Sequence, residues 1–146
     1  MAKRYRLDLG RRVLNRLVRL FLAVGVGPRH TYLLTTRGRT SGRLHSTPVT
    51  LLEHGRERWL VAPYGEVGWV RNARAAGTVT LSRGWRSETV TVVELGPREA
   101  APVLKAYVVR VPVTRPYFDA GPTSGLAAFR AEADRHPVFQ VIVPPR

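Results

Sequence analysis

A basic segment with the sequence TTRGRTSGR, residues 35–43, carries the residue types best suited to bind an anion. Its last seven positions contain two glycines, two hydroxyl residues and three arginines. Glycines let backbone N–H groups converge on an anion, hydroxyls donate hydrogen bonds, and guanidinium groups bind phosphate or carboxylate in a bidentate manner. The segment therefore predicts an oxyanion clamp, although a solvated basic turn has the same composition.

A second group of residues offers flat apolar surfaces beside polar groups. Pro63 and Tyr64 follow a predicted strand. Trp69, Arg71 and Asn72 share a predicted short helix. If the strand before Pro63 lies beside the strand after the basic segment, both groups line one site, and a planar heteroaromatic molecule with an anionic tail would match it. The alternatives are a core position for Trp69 and an ordinary helix-surface position for Asn72.

The sequence lacks the residue patterns of self-contained catalysis. It has no cysteine, which excludes disulfides, zinc–thiolate sites and thiol nucleophiles. Its four histidines have no metal-ligand spacing, and neither a nucleophile elbow nor a phosphate-binding P-loop motif is present. We therefore predict no metal site, and either a binding protein or an enzyme whose cofactor carries the chemistry.

The charge balance favours an anionic partner. The chain has 24 basic against 10 acidic residues, a formal net charge of +14. Nucleic acid, an anionic membrane surface and a multiply charged small molecule all fit this field. Because the sequence has no RNA-binding signature and no helix-turn-helix pattern, we predict a small molecule and no nucleic-acid partner.

Hydrophobic periodicity and turn residues predict one α+β domain over residues 1–146, a small antiparallel β-barrel with peripheral helices. About six strands are expected, at 32–34 and 47–51 on either side of the basic segment and at 58–62, 78–82, 86–95 and 138–143. Helices are expected at 67–76, at 97–110 with Pro97 in the first turn, and at 124–135 with Ser124 as N-cap, and a loop is expected at 111–122.

Residues 1–28 predict an amphipathic helix and a lead-in to the barrel. Asp8 can cap a helix that runs to about Val24, with leucines and Phe21 on one face and arginines on the other. This helix either packs on the domain or makes peripheral contact with an anionic membrane surface. Without a signal-peptide pattern or a spanning segment, we predict a cytoplasmic protein, membrane-associated if the helix rests on lipid.

Three stretches together resemble the deazaflavin-dependent nitroreductase family of actinobacteria. They are the basic segment with Pro48 in the strand after it, the strand WLVA at 59–62, and the helix WVRNARA at 69–75. The resemblance covers Thr31 to Glu94 and implies a split β-barrel related to FMN-binding proteins. It implies coenzyme F-420, an 8-hydroxy-5-deazaflavin with a phosphate and an oligoglutamate tail, as cofactor, with FMN as the alternative.

The resemblance also implies a site residue by residue. Residues 39–42 would meet the phosphate and tail, 45–50 the ring and ribityl side, and 61–64 the deazaflavin, while 68–72 would complete the pocket. The implied cofactor-binding residues are Arg39, Thr40, Ser41, Gly42, His45, Thr47, Pro48, Val49, Thr50, Val61, Ala62, Pro63, Tyr64, Gly68, Trp69, Arg71 and Asn72.

The implied activity is hydride transfer from the reduced coenzyme to an electron-poor small molecule: a quinone, an activated alkene or a nitro compound. The enzyme would hold donor and acceptor at roughly 3–3.5 Å and stabilise developing negative charge. A proton would come from water or from a tyrosine, with Tyr64, Tyr107 and Tyr117 as candidates. A non-catalytic deazaflavin carrier and an FMN-dependent reductase on the same fold are the alternatives, and the protein would be a monomer or a homodimer.

Overall fold

Six antiparallel strands close into a barrel in the order β1-β2-β3-β6-β5-β4. The computed structural model describes residues 30–142. The strands are β1 Thr31–Arg37, β2 Leu44–His54, β3 Glu57–Val61, β4 Thr78–Arg83, β5 Arg86–Glu94 and β6 Val138–Ile142. The predicted α+β barrel of about six strands is confirmed.

Two of the connections are tight hairpin turns that need glycine. Gly55 lies between β2 and β3 with φ of 61°, and Gly84 lies between β4 and β5 with φ of 62°. Only glycine adopts such left-handed backbone without strain, and it lets the two strands reverse within two residues. The β1–β2 connection is longer and contains the basic segment.

In the described part of the chain, three α-helices lie outside the barrel: α1 Gly68–Ala76, α2 Pro97–Arg110 and α3 Leu126–Glu132. Pro97 occupies the first turn of α2, where its missing N–H costs nothing. Gly77 ends α1 in left-handed backbone, with φ of 73°, and its N–H donates to the carbonyl oxygen of Ala73.

Two details of the predicted helices are wrong. The expected loop at 111–122 contains a 3-10 helix, Pro112–Tyr117, because prolines at helix starts favour this turn. Ser124 is not an N-cap: its hydroxyl accepts the N–H of Gly121, and Gly125 precedes α3 instead. The predicted helix at 124–135 is α3 followed by the 3-10 turn Ala133–Arg135.

The core has two parts that share strands β3 and β6. Leu60 and Phe139 point into the barrel, where they meet inward residues from β1, β4 and β5. Val61 and Val138 point outward and pack under α2 and α3. This alternation follows from the two-residue period of a strand, and it covers one side of the barrel with helices.

Strand β2 divides between two partners. Residues 44–50 pair with β1, whereas Leu51–His54 pair with β3. The first half of β2 therefore separates from β3, which lets Pro48 stand in the strand although it has no N–H. The barrel is split at this point.

The predicted helix from Asp8 to Val24 lies outside the described residues. Within residues 30–142, no helix is both long enough and apolar enough to span a bilayer.

Candidate functional site

The tip of the β1–β2 hairpin is bonded directly to α1. The backbone N–H and the guanidinium of Arg39 both donate to Asn72 Oδ1, at 3.3 and 3.1 Å. Asn72 Nδ2 in turn donates to Thr36 Oγ1 at 3.1 Å. Asn72 is only 5% exposed, so it is not the ordinary helix-surface residue that its position in the sequence allowed. The basic segment and the helix thus form one continuous surface.

Hydrogen bonds within the tip hold its shape. The N–H of Gly38 donates to the carbonyl of Arg43 at 2.7 Å, and Arg37 donates to the carbonyl of Gly42, also at 2.7 Å. The N–H of Arg43 donates to Ser41 Oγ, which leaves that hydroxyl its own proton to donate. Gly42 is left-handed with φ of 71°. The tip therefore presents hydroxyl and guanidinium donors on a fixed backbone.

Gly38 lies in a crowded position, although its backbone is not left-handed. A Cβ atom there would lie 2.6 Å from Ser41 Oγ and 3.1 Å from His45 Nε2. The missing side chain lets Ser41 and the start of β2 approach the backbone of the tip closely.

A cleft of about 130 Å³ opens where β2 separates from β3. Its walls are Thr31, Pro48, Val49, Thr50, Val61, Pro63, Tyr64, Tyr107, Val111, Val113 and Thr114. Six of the expected cofactor residues meet here with Tyr107, although they come from separate parts of the chain. The split in the barrel is what brings them together.

The tip and the cleft lie along the same hairpin. Leu33 pairs with Pro48, and Arg37 pairs with Leu44. Four residues separate these pairs, which is roughly 13 Å along the strands. A ligand that contacted both the charged tip and the apolar cleft would therefore occupy an elongated, two-ended site.

The three candidate tyrosines are close together. The rings of Tyr64 and Tyr117 meet edge to face with centroids 4.8 Å apart. Tyr107 is 3% exposed, and burial, with a smaller contribution from the charge of Tyr64, raises its pKa well above the usual value. Tyr107 therefore remains a phenol at neutral pH and can donate a hydrogen bond but does not become a phenolate.

Other expected residues lie apart from the cleft. Ala62 is buried in the barrel core, and its N–H donates to the carbonyl of Pro137. Trp69 turns its ring toward Phe139, with centroids 5.8 Å apart, as a core anchor does. Arg71 is exposed on α1. The remaining expected residues, His45, Thr47 and Gly68, lie on β2 and at the start of α1.

Three residues of one cleft wall were not among the site residues expected from the sequence. Val111, Val113 and Thr114 come from the segment read as a loop. Its prolines were the available signal, because they restrict the backbone and favour a fixed turn. Thr36, the buried partner of Asn72, belongs to the basic segment, but nothing in the sequence indicated that it would be buried.

A larger cleft, of about 930 Å³, lies elsewhere, around the β4–β5 turn. It is lined by Tyr32, Arg58, Trp85 and Arg86 among others, and contains none of the expected cofactor residues. Trp85 is 89% exposed, with the guanidinium of Arg86 above its ring. Among residues 30–142 no group of histidine and carboxylate side chains could hold a metal ion.

The fold defines the class as a split β-barrel protein. A family model described as F-420H(2)-dependent quinone reductase matches residues 12–118. The chain belongs to this family. The expectations of a deazaflavin-dependent family, an oxidoreductase activity and coenzyme F-420 as the cofactor are confirmed at this level.

Solved structures agree with the family. One, described as a domain-swapped dimer, is 26% identical with a TM-score of 0.57, and the match covers 92% of this chain and 98% of that one. Another, an F-420-H2-dependent reductase, is 28% identical with a TM-score of 0.54 and coverage of 78% and 95%. A protein of unknown function from Agrobacterium tumefaciens, 15% identical with a TM-score of 0.57 and coverage of 86% and 53%, shares the fold alone. Comparison with curated proteins gives no match.

Proposed function

We propose that this chain reduces a quinone with coenzyme F-420, with the tail of the coenzyme at the hairpin tip and its ring at the cleft. The observation that carries the proposal is the bonding of Arg39 to Asn72, because it joins the cation-rich tip to α1 at one end of the elongated site. A nitro compound or an activated alkene is an alternative acceptor, because each is electron-poor and can accept a hydride.

The residues of the tip fit a phosphate and an oligoglutamate tail. Thr40 and Ser41 are exposed and carry hydroxyl donors. The guanidinium of Arg39 uses one donor on Asn72 and has others for an anion. Arg37 and Arg43 add positive charge beside it.

The cleft fits one edge of a planar ring. Pro48, Val49 and Val61 supply apolar surface, and Thr50 and Tyr64 supply hydroxyl groups. At about 130 Å³ the cleft is smaller than a complete cofactor site, so the rest of the molecule would extend along the first half of β2 toward the tip. When bound, the reduced deazaflavin supplies a hydride from carbon 5 of its ring.

The protein would orient the acceptor and hold a proton for it. Tyr107 and Tyr64 line the cleft, and Tyr117 contacts Tyr64. The phenol of Tyr107 keeps its proton at neutral pH and would stabilise negative charge on an acceptor oxygen by donating a hydrogen bond. Water remains the alternative proton source, because the site is open.

Two properties beyond the reaction are also proposals. A homodimer is supported by the neighbour described as a domain-swapped dimer, which matches nearly the full length of both chains. Light scattering over a range of protein concentrations separates a dimer from a monomer. A cytoplasmic location is tested by fractionation of the cells that make the protein. Membrane contact through residues 8–24 is tested by vesicle flotation of the full chain.

Binding and turnover must be tested separately. Fluorescence titration with oxidised coenzyme F-420 and with FMN identifies the cofactor, and we expect binding of the deazaflavin only. Absorbance of the reduced coenzyme, followed with menadione and then with a nitroaromatic compound, measures turnover. Binding without oxidation by either acceptor would indicate a carrier, and binding of FMN alone would overturn the cofactor assignment.

A further inference from the structure

A buried ionisable pair lies behind the cleft. Glu132 on α3 and His136, which precedes β6, are 2% and 3% exposed. Glu132 Oε1 lies 2.7 Å from His136 Nε2, and the carbonyl oxygen of Pro63 lies 3.0 Å from Nδ1. Burial lowers the pKa of His136, while its hydrogen bond to Glu132 opposes that effect.

Counting protons fixes the state of this pair. A carbonyl oxygen only accepts, so Nδ1 of His136 must carry a proton for its contact with Pro63 to be a hydrogen bond. The contact of Nε2 with Glu132 then needs a second proton, carried by the ring or by the carboxyl group. An imidazolium with a carboxylate and a neutral imidazole with a carboxylic acid hold the same protons. Either way the buried pair has no net charge, as its surroundings require.

The pair joins both walls of the cleft. Through His136 it holds the carbonyl of Pro63, next to Tyr64 on one wall. Glu132 accepts the N–H groups of Asp119 and Ala120 at 3.1 and 2.7 Å, just after the 3-10 helix that forms the other wall.

Stacking and a nearby surface ion pair support the same arrangement. Phe118 stacks on the His136 ring with centroids 3.9 Å apart. Arg135 approaches Glu132 Oε1 at 4.0 Å, but its closer partner is Asp119, at 2.9 Å. The buried pair therefore keeps its mutual hydrogen bond, and the guanidinium remains at the surface.

We infer that Glu132 and His136 are positioning residues that fix the Pro63–Tyr64 turn against the 112–117 helix and so set the width of the cofactor cleft. The role in cofactor binding rests on the proposed function. The protonation of His136 Nδ1 does not rest on the proposed function, and it can be measured without any coenzyme.

The first test is the ¹⁵N spectrum of His136 in the full chain at neutral pH, assigned by comparison with His136→Phe. We expect a protonated Nδ1. A neutral ring with its proton on Nε2 and a bare Nδ1 would overturn the inference, because Pro63 would then have no hydrogen bond from the ring.

The second test is the affinity for oxidised coenzyme F-420. We expect His136→Phe, which keeps the stacking, and Glu132→Ala each to lose about tenfold, the equivalent of one good hydrogen bond. Glu132→Gln should lose less affinity than Glu132→Ala, because its amide can donate to Nε2 and its oxygen can still accept the N–H of Ala120. Arg130→Gln, an exposed change on the same helix, is the control.

The outcomes separate the two proposals. If the unmodified chain binds coenzyme F-420 and all three variants bind it equally well, the positioning role is wrong and the proposed function stands. If the unmodified chain binds no coenzyme, the proposed function fails, and a protonated Nδ1 still supports the hydrogen-bond state of the pair.

Discussion

Asn72 is the side chain that joins the hairpin tip to α1 at one end of the proposed site. Its residue type and its spacing from Trp69 predicted a site residue. Its burial and its contacts with Thr36 and Arg39 depend on where α1 packs. The chemistry of the tip was readable because arginine, serine and threonine carry the same donors in any fold. Which donors and acceptors face one another could not be predicted, because that depends on contacts between residues distant in sequence.

Arg39→Ala should weaken binding of the long-tailed coenzyme roughly tenfold or more, the cost of a lost charge-assisted hydrogen bond. Binding of a tail-less deazaflavin should change much less. Fluorescence titration measures both. Arg98→Ala, which removes an exposed arginine from the first turn of α2, is the charge-matched control. Equal losses for both ligands would show that Arg39 does not contact the tail.

Thr36→Val should destabilise the fold by leaving the buried side-chain amide of Asn72 without its acceptor. The change keeps the shape of the side chain but removes the acceptor for Asn72 Nδ2, and we expect the free energy of unfolding to fall by about 1–3 kcal/mol. Thr36→Ser keeps the hydroxyl and should lose less. Urea unfolding of both variants checks the difference. If both lose the same amount, the hydrogen bond contributes little.

At the scale of elements, the periodicities of strands and helices predicted most of the fold. The β4–β5 hairpin and α2 lie where alternation and Pro97 indicated. The prediction failed where one signal has two outcomes: the prolines at 112 and 116 are compatible with an irregular loop and with the 3-10 helix that they form. Serine is a favourable N-cap residue, but the hydroxyl of Ser124 accepts a hydrogen bond from Gly121 in the preceding turn.

Gly42→Ala and Gly55→Ala form a matched pair of turn variants. Both glycines are left-handed, with φ of 71° and 61°, and a Cβ at either position would meet no atom within 4 Å. Each change should therefore cost a similar amount of stability, about 1 kcal/mol. Only Gly42→Ala should also lower affinity for the coenzyme, because only that turn is at the tip. Thermal unfolding and titration measure the two effects; a matching loss of affinity in Gly55→Ala would point to general destabilisation.

At the scale of the whole molecule, the split in the barrel creates the cleft. The sequence indicated the strands but not that β2 changes partner at Leu51, because register is fixed by contacts between strands. The same closure brings β6 between β3 and β5 and delivers His136 to the back of the cleft. Neither placement follows from local sequence.

Phe139→Ala should test how far the barrel depends on β6. The side chain is 2% exposed and contacts Trp69, so its removal should cost about 3–5 kcal/mol. Ile142→Ala, on the same strand but 39% exposed, should cost less than about 1.5 kcal/mol. Chemical denaturation of both variants gives the comparison. Similar small losses would mean that β6 contributes little to the barrel core.

The most direct measurement is a crystal structure of the chain with oxidised coenzyme F-420. We expect the phosphate and tail at Arg39–Gly42 and the ring between Pro48–Thr50 and Val61–Tyr64. A ring bound instead in the larger cleft beside Trp85, or a tail directed away from the hairpin tip, would contradict this expectation.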